Sequence, residues 1–151
     1  CVLIPGPGAV AAGVLLRGPP GAGKSDLALR LIDGGATLVA DDQVLLRRTP
    51  DGALLARAPA ILAGVIEVRG VGLVGLPHVA EVPLSLVIDL VPAAAVERLP
   101  ERRHQQLLGV PLPVLALAPF EASTPAKLRA AVTALAQGRL FETDLPTLQA
   151  P

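Results

Sequence analysis

The eight residues Gly18-Pro19-Pro20-Gly21-Ala22-Gly23-Lys24-Ser25 constrain this chain more than any other feature. They fit the pattern G-x-x-x-x-G-K-[ST]. The apolar run Gly13–Arg17 precedes them, and Ser25–Asp33 follows with Leu27, Leu31 and Ile32 at helical spacing. Strand, glycine-rich loop and helix in that order converge backbone N–H groups and a positive dipole end on one point, which is a cradle for phosphate oxygens. In this reading residues 18–25 hold a nucleotide, Lys24 bridges its β- and γ-phosphates, and Ser25 ligates Mg²⁺.

The rest of the chain reads as strands with few helices. Val2–Ile4 is a short strand, and Pro5-Gly6-Pro7-Gly8 is a turn. Gly34-Gly35 stops the first helix. Thr37–Ala40 is a second buried strand that delivers Asp41-Asp42 at its end. Val44–Arg48 and Ala53–Arg57 flank Thr49-Pro50-Asp51-Gly52, a hairpin signal. Val65–Val68 and Leu84–Leu90 are strands, and Val110–Leu117, interrupted by prolines, suits a sheet edge. Ser123 or Thr124 caps a last helix with Pro125 at its first position, ending near Gln137. Past Phe141 the chain turns polar. This predicts one domain over residues 1–142, of α/β class with a mixed sheet, and a mobile tail over 143–151.

Composition excludes several functions. With 151 residues the chain can bury roughly two-thirds of its unfolded surface. Hydrophobic residues are 52% and charged residues 17%, the opposite of a disordered segment. Lys plus Arg equals Asp plus Glu at 13 each, so the basic excess of a nucleic-acid or anionic-membrane binder is missing. Two Phe, no Tyr and no Trp leave no series of stacking platforms for single strands. No apolar run approaches the ~18 residues of a membrane span. The lone Cys1 cannot build a disulfide framework or a zinc site, which suits a reducing, cytoplasmic setting. The chain opens at Cys1 without Met and reads as an excerpt of a longer protein.

A phosphate cradle that does chemistry needs carboxylates near the γ-phosphate. Asp41-Asp42 stand where a strand would present one, as metal ligand or base. A turn or cap role is the competing reading of that pair. Glu67 and Arg69 alternate along a strand and point to one face, where Glu could ligate a metal and Arg hold a phosphate. From spacing alone, a solvated surface pair is the favoured alternative. His78, the run Glu101-Arg102-Arg103-His104, Lys127 and Arg129 read as surface residues.

Taken together, RGPPGAGKSDLALRLIDGGATLVADDQVLL, APAILAGVIEVRGVGL, LSLVIDL and LLGVPLPVLAL resemble the C-terminal catalytic domain of the HPr kinase/phosphorylase family. The loop is common to many families, but GKSD, then VADD, then IEVRGVG in this order is far more specific. The resemblance implies a mixed sheet carrying the P-loop, like the phosphoenolpyruvate carboxykinase fold. It implies phosphoryl transfer from ATP, or in some members pyrophosphate, to a serine of an HPr-like phosphocarrier protein, with reverse phosphorolysis in many members. It implies ATP and Mg²⁺ as cofactors, Lys24 and Ser25 in the loop roles, and Asp41 and Asp42 as the acidic pair containing the base, with Asp42 favoured. Glu67 becomes the second metal ligand and Arg69 part of the signature. It also implies a homo-oligomer, up to a hexamer.

Three departures from the family pattern stand out. Residues 1–12 before the loop strand include no His, the connection Gly75–Pro83 is short and carries no Arg, and the sequence as it starts at Cys1 reads as a form without the N-terminal domain. They keep a nucleotide-sensing regulator with a degenerate site in play beside the kinase. A small-molecule kinase or ATPase is a third reading, disfavoured by hairpins where a helical lid would stand.

Overall fold

The computed structural model describes residues 1–142, so the tail expected at 143–151 lies outside the described residues. Ten strands and two α-helices follow each other as β1 (Val2–Pro5), β2 (Ala11–Arg17), α1 (Lys24–Asp33), β3 (Thr37–Leu38), β4 (Leu45–Arg48), β5 (Leu54–Arg57), β6 (Val65–Val68), β7 (Gly72–Gly75), β8 (Val82–Leu90), β9 (His104–Leu107), β10 (Val110–Leu117) and α2 (Thr124–Ala136). The main sheet runs β3-β1-β2-β8-β10-β9, and the hairpin β4–β5 joins it through β8. Parallel pairing links β2, β8 and β10, while β1, β3, β5 and β9 pair antiparallel. The sheet is therefore mixed. The strand–helix–strand unit β2–α1–β3 is present, with β1 inserted between its two strands.

Period-two alternation sorts the apolar residues onto both faces. Val14, Leu16, Leu86 and Ile88 face Leu27 and Leu31 of α1 and Leu128 and Val132 of α2. Leu15, Val87, Leu112 and Val114 point the other way, where Leu54 and Ala56 of the β5 hairpin cover them. At about 1.5–3 kcal/mol for each large side chain removed from water, these two layers supply the main drive to fold. Gly13 sits at a bulge where β2 crosses β8 so closely that a Cβ would run into the Pro83 carbonyl oxygen.

Several expectations need correcting. Only Thr37–Leu38 of Thr37–Ala40 pairs as a strand, because Val39 and Ala40 both donate their N–H to the Cys1 carbonyl. Val110–Leu117 is not an edge, since it lies between β8 and β9. Its prolines survive because the strand uses its partners in turn: residues 110–113 pair with β9 and 114–117 with β8. Pro111 and Pro113 thus fall where β8 asks for no N–H. β7 and β9 are strands that the sequence does not signal, and only His104 of the charged run falls within β9. Finally, Ser123 occupies the α2 cap without a side-chain bond, while the Thr124 hydroxyl donates to the Ala118 carbonyl.

Candidate active site

The loop 18–23 leaves the end of β2, and Lys24 and Ser25 begin α1. Gly21 and Gly23 have φ of 80° and 97°, the left-handed conformation that a side chain resists. The Lys24 ammonium lies across the loop, donating to the Gly18 carbonyl at 2.5 Å and to that of Pro19 at 3.2 Å.

The Ser25 hydroxyl donates to Asp41 Oδ1 at 2.6 Å, and the Glu67 backbone N–H donates to Asp41 Oδ2 at 3.0 Å. Asp41 thereby fastens the start of α1 to β6. Giving its hydrogen away leaves the lone pairs of Ser25 Oγ free for a cation. Asp42 differs from its neighbour in two ways. It is exposed, and its φ of 50° puts a non-glycine residue in the left-handed region, which Asp tolerates better than most.

β6 and β7 form a two-stranded ribbon separate from the main sheet. Ile66, with Val68 and Val74 partly buried beside it, packs into the core under α1. Glu67 then points outward, opposite Leu73. Arg69 is not on the strand, as alternation suggested; it opens the turn between β6 and β7, with Gly70 at φ 85°.

These pieces meet at one cleft of about 440 Å³, lined by Pro20 to Asp26, Leu29, Asp42, Glu67, Val68, Arg69 and Phe120. Nine sequence candidates, Pro20 to Ser25 of the loop with Asp42, Glu67 and Arg69, therefore share a wall. Asp41, Gly18 and Pro19 are not among the lining residues: Asp41 bonds Ser25 and Glu67 instead, and the Gly18 and Pro19 carbonyls accept from Lys24. Lys24 and Arg69 are the cations among the lining residues. No residue of 75–83 lines this cleft, and His78 is exposed.

Sequence reasoning passed over Phe120. It is 69% exposed, yet one edge of its ring covers Gly23, where a Cβ would lie 2.8 Å away. Arg30 of α1 holds its segment by donating to the carbonyls of Pro119 and Glu121. The available signal was its position: one of two aromatics in the chain, just past a strand that runs parallel to the loop strand.

Comparison with known proteins identifies the family. The model of the HPr Serine kinase C-terminal domain matches residues 9–137. The HPr kinase/phosphorylase of Bordetella pertussis is 41% identical over 111 residues, covering 66% of this chain and 36% of that protein. The HPr kinase/phosphorylase of Peptoclostridium acidaminophilum is 40% identical over 101 residues, covering 65% of this chain and 32% of that protein. The chain thus spans about a third of the length of these curated relatives. A solved structure of the Hpr(Ser) kinase/phosphatase from Coxiella burnetii superposes with a TM-score of 0.70 at 27% identity, covering 84% of this chain and 82% of that one. The loop, the acidic pair and the signature ribbon were the grounds for the resemblance, and with this agreement the chain belongs to the HPr serine kinase C-terminal domain family.

Proposed function

We propose that this domain transfers the γ-phosphoryl group of ATP to a serine hydroxyl of an HPr-like phosphocarrier protein. One observation carries the reading: Asp42 lines the same cleft as Lys24 and Ser25. In this reading they serve as base, phosphate clamp and metal ligand. The residues fit a nucleotide with Mg²⁺. Among the described residues no three His, Cys, Asp or Glu side chains gather into a metal site, and Mg²⁺ ordinarily takes one or two carboxylates together with substrate phosphates. Ser25 and Glu67 would hold the ion, which supplies charge neutralisation on the phosphates.

In the transfer, the loop amides and Lys24 fix the β- and γ-phosphates. Asp42 accepts the serine proton as the serine oxygen bonds to the γ-phosphorus, and the bond from that phosphorus to the bridging oxygen breaks to release ADP. Asp41 acts through Ser25 and Glu67 as a positioning residue. Arg69, exposed at the rim, neutralises the incoming anionic groups. The cytoplasmic setting and a homo-oligomeric state belong to the same reading. Among the described residues no helix is long and apolar enough to cross a membrane.

The test is transfer of label from γ-labelled ATP to a purified HPr-type phosphocarrier in the presence of Mg²⁺. Labelled serine that vanishes with Asp42→Asn supports the proposal. Nucleotide binding without transfer favours the regulator, a reading supported by the position of residues 75–83 outside the cleft.

A further inference from the structure

A second cavity, of about 500 Å³, adjoins the phosphate cleft, and both are lined by Ala22 and Phe120. Its walls are the ends of three parallel strands: Pro19 after β2, Val91, Pro92 and Ala93 after β8, and Pro119 and Phe120 after β10. Ligands of open α/β sheets settle at such carboxyl ends. The lining is apolar throughout except for Glu121, and that carboxylate is paired with Lys127 at 2.8 Å.

Several backbone groups around the cavity are engaged as well. The Pro19 carbonyl accepts from Ala22, that of Pro92 from Ala95, and that of Ala93 from Val96. The Ala118 carbonyl accepts from Thr124, and those of Pro119 and Glu121 from Arg30. The Val91 N–H donates to Leu117. Three prolines contribute no N–H at all. A flat apolar ring can be buried here, but no side chain other than the paired Glu121 offers a donor or acceptor to its edge.

We infer that this cavity seats the base of the nucleotide, stacked on Phe120, and that it selects for an aromatic face without discriminating adenine from guanine. The inference rests on the proposed phosphate site, which fixes the other end of the same molecule. Phe120 suits a stacking role because one edge is locked over Gly23 while most of the ring remains open.

The experiment is calorimetric titration of the protein with Mg²⁺ and, separately, ADP, GDP and pyrophosphate. Pyrophosphate reports the loop alone. Expected are ADP and GDP affinities within about threefold of each other. Phe120→Ala should weaken both about tenfold, the usual scale for one stacked base. Ala93→Trp, at an exposed position, should fill the cavity and weaken ADP but spare pyrophosphate. If neither variant changes ADP affinity while Lys24→Ala abolishes it, the base lies elsewhere and the phosphate reading survives. A strong preference for ADP over GDP overturns the lack of edge reading. Failure of both pyrophosphate and ADP to bind the unaltered protein overturns the phosphate site and this inference with it.

Discussion

The Ser25 hydroxyl donates its hydrogen to Asp41 at 2.6 Å, so a residue at the start of α1 is tied to one that follows β3. The second Asp41 oxygen holds the backbone of Glu67. One carboxylate thereby sets the distance between the phosphate loop and the ribbon that faces it.

Removing that carboxylate should act first on stability. Asp41→Ala leaves the Ser25 hydroxyl and the Glu67 N–H without their acceptor, and the expected loss is about 1–3 kcal/mol in a denaturant titration. Transfer should fall as well, with the apparent affinity for Mg²⁺ weakened more than that for pyrophosphate measured without metal. An unchanged denaturation midpoint would remove Asp41 from its positioning role.

Asp42 should show the converse pattern. Asparagine tolerates the left-handed backbone at φ 50° about as well as aspartate, so Asp42→Asn should melt like the unaltered protein and still bind ADP. Turnover should drop ~10²-fold or more for want of a base. A lowered melting temperature with intact turnover would mark Asp42 as a turn residue only.

Lys24→Ala should abolish transfer and sharply weaken ADP and pyrophosphate, read by calorimetry. Unchanged affinity in that variant would refute the assignment of residues 18–25.

Gly23 is constrained twice, by its φ of 97° and by the Phe120 ring 2.8 Å from any Cβ. The left-handed conformation alone costs an alanine roughly 1–2 kcal/mol. Gly23→Ala should therefore destabilise by at least that amount. Adding Phe120→Ala should restore the part owed to the clash and no more. Full recovery in the double variant would mean that the backbone angle carries no penalty.

Forward transfer should exceed phosphorolysis. The reverse reaction brings inorganic phosphate against a phosphoserine, two anions whose repulsion needs positive charge. Lys24 and Arg69 are the cations lining the cleft. Loss of one charge-stabilising donor typically costs about 10²–10³-fold in rate, so Arg69→Ala should slow phosphorolysis about tenfold more than the kinase direction. Equal slowing, followed by pyrophosphate and labelled-serine assays, would place Arg69 outside the reverse step.

What could be read from the sequence was what local chemistry determines. The loop and α1 announce themselves through Gly, Lys and helical spacing, and the β4–β5 turn through Pro50-Asp51-Gly52. The misses have equally local causes. β7 is Gly72–Gly75, with two glycines in four residues, and β9 is His104–Leu107, which is polar and largely exposed. The β9–β10 turn places Leu108 and Gly109 at φ of 48° and 76°, a two-residue hairpin whose first position lacks the customary Asn or Asp. Whether β10 lies inside or at the edge depends on which strands find it, and no window of sequence contains that. The roles of Asp41 and Asp42 separate for the same reason: adjacent in the chain, they differ in what the fold brings to them.

The ribbon β6–β7 has a consequence for hydrogen exchange. Its strands pair only with each other, and Leu76 closes it by donating to Gly64 at 2.8 Å. Its ties to the body include Ile66 with its partly buried neighbours and the bond from Glu67 to Asp41. Lifting it away breaks no ladder of the main sheet, whereas β2 and β8 cannot part without opening the core. Cooperative opening of residues 65–75 should therefore require less free energy than global unfolding. Their amides should exchange well before those of β2 and β8, and ligands that draw Glu67 toward the loop should slow that exchange selectively. Glu67 and Arg69 thus sit on a segment that can breathe while the phosphate loop stays folded.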